Sequence, residues 1–287
     1  MSNSIKRLLT AAIGIPLLFV IFKLGGIIFL LFIMVLVLFA QLEYNNILES
    51  KNLPYAKKRS IISPLLLVLA SYYGYYLFGL FFTGTVITIL ILELRKTDFN
   101  ETVLNLGTTL FGLIYLGWFL SHAVLLRNID HIQGISNYAD KQNIQDTGFF
   151  FIVFAVACTF LNDTGAYYTG RTIGTHKLTP KISPGKTIEG TIGGLGASIL
   201  CGLVVNYIFG SPMGSEWTVF LGLLIGLTAV FGDLVESSIK RGAGIKDSGA
   251  LLPGHGGVLD RFDSLIFVFP VTYYFVLIYY KLNGVVL

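Results

Sequence analysis

Apolar runs long enough to cross a membrane recur along this 287-residue chain. A spanning helix needs about 20 mostly apolar residues, within a range of about 17–25. The runs predict nine spans, at residues 8–22, 26–42, 61–78, 80–94, 103–126, 148–168, 188–209, 217–239 and 264–281. The first and fourth are short, so eight spans is an alternative. The predicted fold class is therefore all-α, a polytopic integral membrane protein with about nine transmembrane helices.

Composition supports a lipid environment. Charged residues make up 13% of the chain, whereas soluble domains carry about 25%. The N-terminal apolar run continues past Gly25 and Gly26 into a second one, so we expect a retained helix and not a cleaved signal peptide. Gly193, Gly194 and Gly196 in the seventh predicted span indicate close helix packing.

Lysine and arginine are distributed unequally between the two sides of the predicted membrane. With a cytoplasmic N-terminus and nine alternating spans, 16 of the 20 basic residues lie on the cytoplasmic side, as the positive-inside rule requires. Loops 169–187 and 240–263 then both face the cytoplasm. We expect a multi-pass protein of the cell membrane, with N-terminal membrane helices (1–147) and a catalytic region (148–287) whose active site faces the cytoplasm.

The end of the eighth predicted span carries polar residues on one helical face. Asp233, Glu236, Ser237 and Lys240 follow a spacing of three and four residues, which aligns them on one side of a helix. An Asp at mid-helix costs about 2.5–3.5 kcal/mol on insertion scales and usually faces a polar cavity. This face is suited to hold a divalent cation beside a phosphate. For Glu236, a pair with a lysine at the membrane surface is the alternative.

The segment 240–263 is rich in glycine and basic residues. Glycines let backbone N–H groups approach phosphate closely. Positive charge for a polyphosphate comes from Lys240, Arg241, Lys246 and Arg261. Asp260 and Asp263 lie one turn apart at the entry to the last span. Carboxylates at both flanking helix ends make this segment a candidate metal–phosphate site.

A second polar block follows the sixth predicted span. Asp163 lies at the cytoplasmic end of that span, where it joins the candidate site or simply caps the helix. Ser183, Lys186 and Thr187 precede the seventh span, where a helix N-terminus favours an anion. For Lys177, an ordinary positive-inside role is an equal alternative.

Both blocks resemble one family. Residues 238–241, 246–247 and 255–263 resemble the signature of the phosphatidate cytidylyltransferases. Residues 162–167, 170–171, 176–178 and 182–190 resemble the other polar block of that family. The resemblance covers the C-terminal half, while residues 1–147 match only as unspecific hydrophobic spans.

The resemblance implies that CTP and phosphatidic acid are converted to CDP-diacylglycerol and pyrophosphate, in phospholipid biosynthesis. It implies a requirement for Mg²⁺ held by Asp233 and Asp260, and leaves a second metal ion open. The expected catalytic residues are Asp233, Lys240, Arg241, His255, Asp260 and Arg261. The expected substrate-binding residues are Asp163, Arg171, Lys177, Ser183, Lys186, Thr187, Glu236, Lys246, Asp247, Gly256, Gly257 and Asp263. For His255, capping a turn is the alternative.

Three rival functions use similar features. A CTP-dependent lipid kinase would release CDP, and a cytidylyltransferase for another lipid phosphate would differ only in substrate. A transporter with intramembrane carboxylates is disfavoured, because the charged motifs gather at one membrane face and not at the midplane. The expected partners are CTP, phosphatidic acid and membrane lipid, with no nucleic acid; family analogy makes a homodimer reasonable.

Overall fold

The computed structural model describes residues 3–95, 99–141, 146–210, 212–249 and 256–286, and these residues are mostly helical. The helices are α1 (Asn3–Leu24), α2 (Gly26–Ser50), α3 (Lys57–Tyr72), α4 (Tyr75–Glu93), α5 (Thr102–Gly112), α6 (Phe119–Arg127), α7 (Gln133–Lys141), α8 (Thr147–Ile173), α9 (Ile188–Phe209), α10 (Ser215–Ala243) and α11 (Leu259–Leu282). A π-helical segment, Leu113–Trp118, joins α5 to α6, and a 3₁₀ turn covers Ile129–His131. Strands β1 (Lys177–Thr179) and β2 (Ser183–Thr187) form an antiparallel hairpin.

Seven helices of the described part are long and apolar enough to cross a membrane. They are α2, α4, the continuous stretch Thr102–Arg127, α8, α9, α10 and α11. The apolar stretch of α1, Ala12–Leu24, and the 16-residue α3 are shorter. The all-α polytopic architecture is confirmed, whereas the count of nine spans and the cytoplasmic N-terminus stay predictions.

Several predicted boundaries were wrong. The break expected at residue 79 lies at Tyr73–Gly74, where Gly74 has a φ of 105°, a conformation that a residue with a Cβ avoids. Hydropathy hides this break because aromatic residues flank it on both sides. The loops expected at 169–187 and 240–263 are shorter, since α8 extends to Ile173, α10 extends to Ala243 and α11 begins at Leu259. Hydropathy detects only the apolar part of a helix, while polar end turns continue it.

The chain forms two compact units, and the first consists of residues 1–125 and 240–262. Buried polar side chains in this unit bond to one another. The Gln41 amide donates to Asn45 at 3.0 Å, and the Asn45 amide donates to Ser60 at 3.0 Å. Such pairing is required because a buried polar group without a partner is costly in an apolar surrounding.

The second unit consists of residues 126–239 and 263–287, and its α8 and α9 pack closely. A Cβ added to Gly193 would collide with the Thr169 side chain, and one at Gly194 would lie 2.8 Å from the Asn162 carbonyl oxygen. Close packing at Gly193 and Gly194 is thus confirmed. At Gly196 it was wrong, because a Cβ there meets no atom within 4 Å.

The two units do not follow the predicted division into residues 1–147 and 148–287. The predicted division was based on function, with membrane helices in the first part and a catalytic region in the second, and not on compactness. It stays a prediction.

Candidate active site

In the second unit, a lysine of the hairpin meets a carboxylate of a membrane helix. The Nζ atom of Lys186 in β2 lies 2.6 Å from Oδ2 of Asp233 in α10. The other Asp233 oxygen accepts a hydrogen bond from Ser237 at 3.2 Å. The side chains of Lys186 and Asp233 remain 24% and 29% exposed, so a ligand from water can reach the pair.

Two further carboxylates belong to the same neighbourhood. Asp163 of α8 and Asp263 of α11 both interact electrostatically with Asp233 and with Lys186. Gly232 allows α10 to approach α11 here, since a Cβ at this position would lie 2.9 Å from the Asp263 carbonyl oxygen. Three carboxylates therefore interact with one ammonium group. Their mutual repulsion is incompletely offset and would be relieved by a cation.

The hairpin is fixed at its base by Glu189, in the first turn of α9. The Glu189 carboxylate accepts hydrogen bonds from the Thr175 hydroxyl at 2.8 Å and from the Thr175 and His176 amides at 3.1 and 3.2 Å. Thr187 caps α9 by accepting from the Gly190 amide at 3.1 Å. The predicted helix start after Thr187 is confirmed. These bonds hold the end of β2 that carries Lys186.

The other predicted site residues of the second unit differ in how exposed their side chains are. Arg171 and Lys177 are exposed, and Ser183 is half-buried. Arg171 donates to the Tyr167 hydroxyl at 3.0 Å. Glu236 is fully buried, so a pair snorkelling at the membrane surface was wrong for it. Substrate binding by these residues stays a prediction.

In the first unit, Asp260 is the centre of a second constellation. Its Oδ1 lies 2.7 Å from Lys240 Nζ, and the two side chains are only 9% and 12% exposed. Its Oδ2 accepts from the Ser248 amide at 3.0 Å and from the Gly257 amide at 2.8 Å. Asp260 thus ties the start of α11 to α10 and to the glycine-rich segment.

Glu43 of α2 supports this segment, and sequence analysis missed it. It is buried and accepts from the Ser248 hydroxyl at 2.9 Å and from the Val258 and Leu259 amides at 2.8 Å each. A Cβ at Gly257 would lie 2.5 Å from a Glu43 oxygen, which explains the glycine by packing. One sequence signal could have identified Glu43: it is an acidic residue that directly follows the second apolar run, residues 26–42.

The remaining predicted residues of this unit are at its surface. Arg241 donates to the Ile245 carbonyl at 3.0 Å and is exposed, as are Lys246, Asp247 and Arg261. Gly256 has a φ of 86°, which favours glycine. His255 lies outside the described residues. The roles assigned to these residues stay predictions.

The donor set can be compared with the needs of Mg²⁺. No group of three or more His, Cys, Asp or Glu side chains in the described part of the chain is arranged to hold a metal ion. Mg²⁺ usually binds through one or two carboxylates together with substrate phosphates and water, so Asp233, with Asp163 and Asp263 beside it, fits that preference. Asp260 accepts from three donors, and a carboxylate offers about four lone-pair positions. Joint ligation by Asp233 and Asp260 stays a prediction.

Comparisons with known proteins agree with the sequence motifs. The model of the Cytidylyltransferase family matches residues 5–279. A phosphatidate cytidylyltransferase of Synechocystis sp. is 36% identical over 287 residues, covering 95% of this chain and 96% of the relative. One from Staphylococcus epidermidis is 35% identical over 265 residues, covering 92% and 96%. A phosphatidate cytidylyltransferase of Staphylococcus aureus is 49% identical over a shorter stretch of 124 residues, which covers 43% of this chain and 48% of the relative.

Proposed function

The chain belongs to the Cytidylyltransferase family and is a nucleotidyltransferase, and we propose that it transfers CMP from CTP to phosphatidic acid. The products are CDP-diacylglycerol and pyrophosphate. The substrates are those named for the related phosphatidate cytidylyltransferases, and the resemblance of the two polar blocks supports them. It applies to a multi-pass membrane protein, where a lipid substrate is at hand.

The observation that carries the proposal is the Lys186–Asp233 pair beside Asp163 and Asp263. A nucleotidyl transfer between two anionic substrates needs cationic groups to reduce their repulsion, and acidic groups to hold a cation of higher charge. Lys186 supplies the first kind of group, and the three carboxylates supply the second. The pair is accessible, so the ammonium can exchange its carboxylate partner for a phosphate oxygen.

The chemistry is an in-line displacement. A phosphate oxygen of phosphatidic acid attacks the α-phosphorus of CTP, a new P–O bond forms, and the bond from the α-phosphorus to the bridging oxygen breaks. Pyrophosphate leaves with that electron pair. A phosphate monoester has a second pKa of about 6, so the nucleophile is already ionised and needs no strong base. The residues therefore bind, orient and neutralise charge.

Magnesium fits this proposal. Asp233, aided by Asp163 and Asp263, would hold the ion, and the family resemblance alone adds Asp260 as a further ligand. Held by these carboxylates, the ion would supply positive charge against the negative charge on the leaving pyrophosphate. Lys186 would contact a phosphate group, and Lys240 would hold the Asp260 carboxylate in position. A second metal ion, like a homodimer, remains an expectation from the family resemblance.

We also propose that the site faces the cytoplasm at the cell membrane. The distribution of lysine and arginine supports this orientation. CTP then enters from water, and the lipid substrate enters from the bilayer between helices.

The experiment is pyrophosphate release by the purified full-length protein in detergent, with CTP, phosphatidic acid and Mg²⁺. Release should require all three components, should vanish in Asp260→Asn, and should fall about 100-fold in Lys186→Ala. Lys181→Ala, which changes an exposed lysine at the hairpin turn, is the matched control. CDP in place of pyrophosphate would identify a lipid kinase. Turnover only with another lipid phosphate would change the substrate, and no turnover with any lipid would reject the proposal.

A further inference from the structure

A cleft in the first unit shares no residue with either constellation described above. It has a volume of about 490 Å³, within the range of about 300–1,000 Å³ that is usual for ligand pockets. α3 and α4 form its walls. The residues that line it are Lys58, Arg59, Ile62, Ser63, Leu66, Leu80, Phe81, Gly84, Thr85, Thr88 and Ile89.

One end of the cleft is positively charged. Lys57, Lys58 and Arg59 occupy the first turn of α3, which contains no acidic residue. The N-terminus of a helix carries a partial positive charge, which adds to the charge of the basic side chains and attracts an anion. Ala56 precedes the helix and offers no side-chain cap. The backbone and the side chains at this end therefore both favour an anionic group.

The three basic residues differ in their partners. Lys57 forms an ion pair with Glu49 at 2.8 Å. The Arg59 guanidinium donates to the Ile89 carbonyl at 3.3 Å and lies 3.6 Å from the buried Glu93. Lys58 lines the cleft, is exposed, and has no ion-pair partner among the described residues. Lys58 is thus the cation available to a ligand.

Apart from Ser63, Thr85 and Thr88, the rest of the cleft is apolar and opens outward. Ile62, Leu66, Leu80 and Phe81 line it and are between 40% and 66% exposed. Such residues face hydrocarbon in a membrane protein. Gly84 leaves room between them, because a Cβ added there meets no atom within 4 Å. These walls suit an acyl chain.

The dimensions match one leaflet of a bilayer. Leu66 follows Lys58 by eight residues, which corresponds to about 12 Å along a helix. Half of a hydrocarbon core about 30 Å thick is about 15 Å. The basic end belongs to the side that sequence analysis predicts to be cytoplasmic, where anionic lipids are enriched.

We propose that this cleft binds one anionic phospholipid of the bilayer, with the headgroup phosphate on Lys58 and the N-terminus of α3. An acyl chain lies along Ile62, Leu66 and Phe81. The site shares no residue with the proposed catalytic centre and does not depend on the reaction assigned to it. The phosphate diester of an abundant membrane lipid, and not the substrate lipid or free phosphate, is the intended occupant.

The test is fluorescence quenching by brominated lipids in nanodiscs. Trp118 and Trp217, the two tryptophans of the chain, are changed to Phe, and Phe81→Trp places a reporter in the cleft. Brominated phosphatidylglycerol and brominated phosphatidylcholine are compared at the same minor fraction, without CTP. We expect stronger quenching by the anionic lipid. Equal quenching by both lipids would overturn the proposal.

Two matched pairs of variants locate the site. Lys58→Ala should lower the preference for the anionic lipid about fivefold, the share expected for one lysine near a charged surface, while Lys57→Ala should retain most of it. Gly84→Leu should abolish it by filling the cleft. Gly79→Leu, also in α4 with open space around it but outside the lining, should retain it. Equal effects within either pair would contradict the site.

Two competitors separate the sources of the phosphate group. Inorganic phosphate should leave the quenching unchanged, and displacement would mean an aqueous anion site in place of a lipid site. Preference for brominated phosphatidic acid without any for phosphatidylglycerol would also overturn the proposal. Because these measurements need no turnover, failure here leaves the proposed reaction untouched, and an inactive enzyme leaves this proposal untouched.

Discussion

The ammonium group of Lys186 lies 2.6 Å from the Asp233 carboxylate, although a β-hairpin carries one residue and a membrane helix carries the other. Glu189 and Thr187 hold the hairpin at the start of α9. The lysine is therefore oriented before any substrate binds. Preorganised charge of this kind is effective in catalysis because it needs no rearrangement during the reaction.

Lys186→Ala should lower pyrophosphate release by about 100-fold, the scale of losing one preorganised charged or hydrogen-bonding group. Lys186→Arg should restore part of the loss, since it keeps the charge but changes the geometry. Steady-state rates with varied CTP would measure both effects. The control is Lys181→Ala, and Lys186→Ala with half or more of the parent activity would refute the assignment.

Glu43→Gln should destabilise the protein and reduce activity. The amide keeps one acceptor oxygen but turns an NH₂ donor toward the donors of Ser248, Val258 and Leu259. Each lost hydrogen bond to a charged group is worth about 1.5–3 kcal/mol. Thermal unfolding and turnover number would measure the two consequences.

Glu49→Gln is the control for that change, because Glu49 lies on the same helix but is exposed and pairs with Lys57. An exposed ion pair contributes little to stability, because solvent screens it. If the two substitutions lowered the unfolding temperature equally, Glu43 would have no special role in holding the glycine-rich segment.

The Lys240–Asp260 pair should separate stability from activity. Lys240→Met leaves a nearly buried carboxylate without its cation, which costs about 3–5 kcal/mol. Adding Asp260→Asn removes the uncompensated charge, so the double variant should be more stable than Lys240→Met alone. It should still be inactive, because the proposed metal ligand is lost. Recovery of activity along with stability would limit the pair to a structural role.

Close packing of α8 and α9 gives a prediction about glycine. Gly194→Ala places a methyl group 2.8 Å from the Asn162 carbonyl oxygen, and such overpacking costs about 1–3 kcal/mol. Gly196→Ala, in open space on the same helix, should be neutral or slightly stabilising through helix propensity. Unfolding temperatures in one detergent would compare them, and equal values would contradict the observed helix contact.

Much of the architecture followed from local pattern. The membrane helices could be predicted from apolar runs, because a helix that crosses a bilayer must have a minimum length and a high hydropathy, and both are local properties of the sequence. The break at Gly74 escaped this reasoning, since backbone conformation and not hydropathy ends α3 there. The extended ends of α8 and α10 escaped it for a related reason, because their last turns are polar.

For the candidate site, too, some features could be predicted from the sequence and others could not. The unusual carboxylates and lysines could be recognised from the sequence, because charge near an apolar span is costly and the spacing of the motifs is local. Which of these side chains contact one another depends on the tertiary structure. It joined Lys186 to Asp233 and Lys240 to Asp260, and it brought Glu43 to the glycine-rich segment more than 200 positions away in the chain. Contacts at such separations depend on how helices pack, and helix packing is a property of the whole chain that no local pattern contains.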